Sequence, residues 1–194
     1  IVVGEEIDLI GEEVHRRHTG HSHPHGNPHV WLDPVVAKAA VGLITGALCR
    51  VDPGREREYT DRAARYMTRL DSVVRVLTEL TSRLGKRRFV SVHDSWPYFC
   101  RRFGFQAVAA IEPQPSREPS ARRLAELVSV MKADSVSVIV VEPQHNRDLA
   151  DMLARSTGAT VVVLAPVTGA LPEANSYIGM LDYNVRTLAA ALSR

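Results

Sequence analysis

Cysteine is scarce in this chain: there are two in 194 residues, Cys49 and Cys100, far apart and with no C-x-x-C spacing. That excludes a disulfide framework. Both lie in apolar helical contexts and read as small buried residues, and so few leave the redox compartment open. A charge excess of one sign is also missing. The 24 Lys and Arg against 22 Asp and Glu give a net +2 without long runs, so there is no electrostatic footprint for nucleic acid or an acidic membrane face. No stretch reaches the roughly 18 apolar residues that span a bilayer. The opening IVVGEEIDLI has neither a basic n-region nor a cleavage site, and the chain reads as soluble. No internal repeat with a period of about 20–50 residues stands out.

What is present is enough apolar content, 45%, for one complete domain and part of another. Ile1 to Val3 reads as a strand belonging to something upstream, since so short a strand does not make a sheet alone. A missing N-terminal part is therefore expected. Residues 1–33 end in a Gly-, Pro- and His-rich loop, HRRHTGHSHPHGNPH, that cannot pack a core. From Pro34 a helical pattern runs to about Val51, with Asp33 as cap and Pro34 in the first turn. Asp52, Pro53 and Gly54 open a second helix over 55–84, whose apolar positions step by threes and fours from Tyr59 to Leu84. At about 45 Å it is long enough to support two bodies.

Beyond Gly85 short apolar runs alternate with helices. Phe89–Val92, Gln106–Ile111, Val136–Val141 and Thr160–Leu164 read as strands; Ser95–Phe103, Ser120–Ala133, Asn146–Thr157 and Ser176–Leu192 read as helices. VSVIVV and TVVVL are apolar on both faces, the mark of parallel strands covered on both sides. The expected fold is α/β: a C-terminal lobe over 86–194 with a four-stranded, mostly parallel sheet flanked by helices, a helical linker over 34–85, and a remnant of an N-terminal lobe over 1–33.

Ligands of open parallel sheets gather at the carboxyl ends of the strands. The residues there are His93, Glu112, Glu142 and Ala165. Taken alone, a histidine at a strand end is more often structural than ligating. His29, in NPHVWLDP, is held between Pro28 and a bulky run immediately before a helix start. Neutral imidazole is a good zinc, copper or nickel ligand, but two histidines 64 positions apart form a site only if the fold joins them. His15, His18, His21, His23 and His25 form a tract of loose metal ligands whose ordering costs entropy; a solvated loop is its plain alternative.

At these residues the chain resembles the cluster A-I (cluster 9) metal-binding proteins of bacterial zinc and manganese ABC importers. The resemblance rests on the His-rich loop, NPHVWLDP, DPGREREY, VHDSWPYFCRRFGF, Pro119 and Ser120, VEPQ, the TGA at Thr157 to Ala159, and SYIGMLDYN in that order. It implies two α/β lobes joined by a long rigid helix, one metal bound between them, and delivery to a membrane permease. It also implies a periplasmic or lipid-anchored location, no enzymatic activity, no nucleic-acid partner, and a monomer. Carried over, His29 and His93 match the second and third ligands, and the first would lie upstream of Ile1. The fourth, often an aspartate after the last strand, falls at Ala165. That departure favours Zn2+ over Mn2+, which wants more carboxylate oxygen. Glu142 is a candidate substitute ligand or outer-sphere base. Asp94 is a candidate to orient an imidazole or to cap the next helix. Residues 1–28 are expected to pack loosely, with apolar surface exposed along the long helix.

Two rival functions remain at this level. A zinc hydrolase needs a general base beside the metal, and the chain has no H-E-x-x-H and no nucleophile elbow. A surface adhesin, a label also attached to this family, would show surface display without dependence on metal.

Overall fold

β-Branched and other apolar residues concentrate in four short segments, and in the computed structural model, which describes residues 27–112 and 119–194, each is a strand. They are β1 Arg88–Ser91, β2 Gln106–Ala110, β3 Val138–Val141 and β4 Thr160–Val163. All pairings are parallel and the spatial order is β2-β1-β3-β4. β1 therefore lies between β2, which follows it, and β3, to which the chain crosses back. The sheet reverses direction of progress between β1 and β3, and the crevice at their carboxyl ends is the topological switch point.

Among the described residues six helices surround the strands: α1 Pro34–Val51, α2 Glu56–Ser82, α3 Pro97–Phe103, α4 Ala121–Ala133, α5 Asp148–Thr157 and α6 Tyr177–Leu192. Side-chain alternation sorts the core into two layers. On one face Phe89, Val138 and Val140 pack with Leu70 and Leu77 of α2, Phe99 and Phe103 of α3, and Leu181, Val185 and Leu188 of α6. On the other, Val90, Ile139 and Val141 pack with Leu127 and Met131 of α4 and Ala150 and Leu153 of α5. Each fully buried aliphatic side chain contributes roughly 1.5–3 kcal/mol, so the central strand β3, buried at all four positions, anchors both layers. β4 is an edge strand, exposed or half-buried along its length, yet Val162 packs on one layer and Val161 and Val163 on the other, so the expectation of cover on both sides holds for β3 and for β4.

α2 carries 27 residues, about 40 Å, between a 3-10 turn at Pro53–Arg55 and Gly85. α1 lies beside it, with Lys38 Nζ 2.7 Å from an Asp71 carboxylate oxygen. The exposed apolar surface differs from expectation. It sits mainly on α1, at Val35, Ile44, Leu48 and Val51, with Val76 alone among large hydrophobics on α2. α1, at 18 residues and a mean hydropathy of 1.5, is also apolar and long enough to cross a bilayer by length and composition, which corrects the reading of the sequence on that point. Cys100 is buried, but Cys49 is only half-buried, and both are free thiols. The strand expected at Ile1–Val3 and the packing expected of residues 1–26 lie outside the described residues.

α3 ends at Gly104, whose φ of +72° is left-handed. An added Cβ would come within 2.7 Å of Arg87 Nη1. Glycine there lets the chain turn from α3 directly into β2.

Candidate metal centre

The switch point is built from three loops. The segment 27–33 runs as a short 3-10 turn over Val30–Leu32 into α1, and it is fastened on every side. Tyr98 Oη of α3 donates to the Asn27 carbonyl at 3.0 Å. Trp31 Nε1 donates to Pro166 O at 2.7 Å, and Tyr177 Oη donates to Trp31 O at 2.6 Å. Asp33 is fully buried. Its carboxylate caps α1 through the Val35 N–H at 2.9 Å, and it accepts Arg102 through both Nε (2.7 Å) and Nη2 (3.1 Å) and Arg101 Nη2 at 3.1 Å. A bidentate guanidinium and a cap on one carboxylate fix its geometry.

Within this clamp the Nδ1 of His29 is 2.9 Å from Asn27 Oδ1. The same oxygen accepts the His29 backbone N–H at 3.0 Å, while Asn27 Nδ2 donates to Asp94 O at 2.9 Å. Those last two contacts settle which end of the amide is oxygen. His29 Nδ1 must then carry the proton, placing the ring lone pair on Nε2, the tautomer an outer-sphere acceptor selects for a metal-ligating histidine.

His93 follows β1, where Val92 N–H bonds to Val140 O of β3 at 2.8 Å. The rings of His29 and His93 meet edge to face with centroids 5.5 Å apart, so the fold joins residues 64 positions apart in sequence. The α3 start behind His93 corrects one expectation. Its capping position is Trp96, with no side-chain cap bond, so neither Asp94 nor Ser95 caps the helix. Asp94 is buried and reaches the His29 segment through its backbone carbonyl.

Glu142, after β3, is not a loop residue facing solvent. It is fully buried and accepts the Trp96 Nε1–H at 2.9 Å. Burial pushes its carboxyl up to about 7, while the Trp96 indole, nearby backbone amides and Ser95 pull it partly back. It braces the loop that carries His93. Three residues on, His145 emerges from a turn closed by its N–H on Glu142 O at 3.0 Å, and its ring stacks on His93 with centroids 5.4 Å apart and planes 26° apart. His145 was not singled out from the sequence. Its signal was its place in VEPQHN, immediately beyond a central strand. Ala165 is fully buried, its N–H and C=O both held by the Asn184 amide at 2.8 and 2.7 Å. Glu112 lies at the β2 end, its N–H bonded to Val92 O. The tract His15, His18, His21, His23 and His25 lies outside the described residues. Among the described residues the imidazoles pack ring against ring, and no three His, Cys, Asp or Glu side chains converge on one point.

An open parallel sheet with imidazoles gathered at its switch point belongs to the class of α/β ligand-binding lobes. The family model "Zinc-uptake complex component A periplasmic" (ZnuA) matches residues 1–191, and the chain belongs to that family. It is 30% identical over 170 residues to the high-affinity zinc uptake system protein ZnuA of Bacillus subtilis, covering 86% of this chain and 53% of the relative. It is 31% identical over 173 residues to the zinc-binding lipoprotein AdcA of Streptococcus pneumoniae, covering 87% and 34%. The chain thus spans about half or less of the length of these curated relatives. Among solved structures, a mutant of the laminin-binding adhesin Lmb from Streptococcus agalactiae superposes with a TM-score of 0.83 at 27% identity, over 99% of this chain and 70% of that one.

Proposed function

We propose that this chain is the C-terminal lobe and long-helix portion of an extracytoplasmic binding protein that captures zinc for an ABC importer and hands it to the membrane permease. The observation that carries this reading is the His29–His93 pair at the switch point, with the proton of His29 held on Nδ1 by Asn27. The names of the zinc-uptake relatives support it. Zinc is preferred to manganese because the paired side chains at this edge are imidazoles, nitrogen donors that suit zinc better than manganese. The protein acts as a monomer, periplasmic or anchored by lipid, with the 1–33 segment contributing to a second lobe, 34–85 joining the two and 86–194 forming the lobe described above.

The site suits a carrier and not a catalyst. A hydrolytic metal site keeps a general base beside its bound water, whereas Glu142 faces the Trp96 indole in the core.

Zinc titration of the full chain tests the reading. His29→Ala and His93→Ala should each lower affinity by more than the roughly 10–100-fold that follows loss of an outer-sphere partner. Deletion of 15–25 should leave tight binding in place. Tight binding that survives both alanine changes sinks this site assignment and moves attention to the His tract or to another function.

A further inference from the structure

We propose that His145 is a metal ligand of this site, entering from the β3 loop and supplying the donor that Ala165 cannot. The inference rests on the zinc-capture reading above and extends it to a residue outside the family pattern matched by His29 and His93.

Three observations converge. First, spacing: zinc with nitrogens at about 2.0–2.1 Å holds imidazole centroids roughly 3.2 Å from the metal, and so about 5.2 Å from one another in a tetrahedral arrangement. The His29–His93 and His93–His145 separations, 5.5 and 5.4 Å, are each close to that value, so His93 stands at co-ligand spacing from both of the other rings. Second, placement: β1 and β3 are adjacent in the sheet, and the turn closed by His145 N–H on Glu142 O sets the ring at the switch point beside His93. The half-buried ring and the exposed Gln144 and Asn146 on either side leave it room to turn. Third, donor count: Ala165 is buried with its backbone bonded to Asn184 and has no side-chain donor, while Glu142 is fully buried with one carboxylate oxygen on the Trp96 indole. His145 is the side chain that fills the resulting position, and a third imidazole makes the donor set softer than a carboxylate would, strengthening the preference for zinc over manganese.

The test uses the full chain with zinc alone, and again with His15, His18, His21, His23 and His25 changed to serine so that the tract cannot substitute. Affinity is read by competition with a chelator, and the number of bound imidazoles by X-ray absorption at the zinc edge. His145→Ala and His145→Gln should each weaken zinc binding at least roughly tenfold, the lower bound for loss of even an outer-sphere partner. The imidazole count should fall by one, and manganese affinity should change less than zinc affinity. Circular dichroism of the metal-free variants separates misfolding from lost coordination, and the glutamine variant preserves the turn if alanine does not. Unchanged affinity and imidazole count in both His145 variants, with binding lost in His29→Ala and His93→Ala, overturns the proposal and leaves the zinc-capture reading intact. Unchanged binding in all four variants overturns both.

Discussion

The side-chain oxygen of Asn27 accepts both the backbone N–H and the ring Nδ1 of His29, at 3.0 and 2.9 Å, while its amide nitrogen reaches Asp94 O, next to His93, at 2.9 Å. One fully buried side chain therefore sets the tautomer of one histidine and fixes its distance from the loop of the other. Asn27→Ala should lower zinc affinity about 10–100-fold, as removal of outer-sphere partners does. It should also destabilise the metal-free chain by about 1–3 kcal/mol through lost buried hydrogen bonds. Asn27→Asp keeps an acceptor for His29 but turns a carboxylate oxygen on Asp94 O. It should retain more of the affinity than alanine while losing comparable stability, a separation that calorimetry and urea unfolding together resolve.

Asp33 couples the same segment to α3 and begins α1. Its arginine partners are 49% and 30% exposed, so the ion pairs are worth less than a sealed pair. Asp33→Asn preserves the cap, since asparagine caps as well as aspartate, and should cost about 1–2 kcal/mol from the weakened guanidinium contacts. Asp33→Ala should cost about 1 kcal/mol more for the cap. Urea midpoints measure both. Equal losses in the two variants would mean that the cap contributes nothing here.

Much of this was legible in the sequence, for identifiable reasons. The strand segments stood out because β3 and its neighbours are apolar at consecutive positions, and all four strands lie within two residues of where the pattern put them. α1 starts at Pro34 as the Asp33-Pro34 pair predicts. Strand-end logic found His93 and Glu142, but side-chain direction is set by packing that no local pattern encodes. Glu142 read as a candidate ligand or outer-sphere base because only Trp96, 46 residues away, shows that one of its oxygens is taken up in the core. Asn27 and His145 escaped for the same reason: their partners are Asp94, His29 and His93, and the order β2-β1-β3-β4 that joins these loops is a tertiary fact. Asp94 looked like a helix cap by residue type and Ser95 like the helix start, but α3 begins later, at Pro97, on a backbone turn.

The two cysteines should differ sharply in reactivity. Burial pushes the Cys100 thiol up to about 12, leaving almost no thiolate at neutral pH, whereas Cys49 is half-buried on α1. Iodoacetamide on the native chain should label Cys49 alone, with Cys100 becoming reactive only in denaturant. Peptide mass mapping reads this directly, and native labelling of Cys100 would show that α3 opens without global unfolding.

The buried carboxyl of Glu142 gives the metal-free chain a pH dependence of definite sign. Its folded-state value, raised by burial from 4.5 to about 7, exceeds that of the unfolded chain, so across this window the folded state holds more protons. Stability must then fall as pH rises from about 4.5 to about 7, and above that range the loss is complete. The shift corresponds to an upper limit of about 3 kcal/mol. Glu142→Gln keeps an acceptor for the Trp96 indole and removes the titration. The stability difference between parent and variant should therefore favour the parent near pH 4.5 relative to pH 8, and contributions from the other carboxylates cancel between the two. Urea unfolding at several pH values measures that difference. A flat difference would mean that the carboxyl ionises at its ordinary value, through water reaching the Trp96 contact.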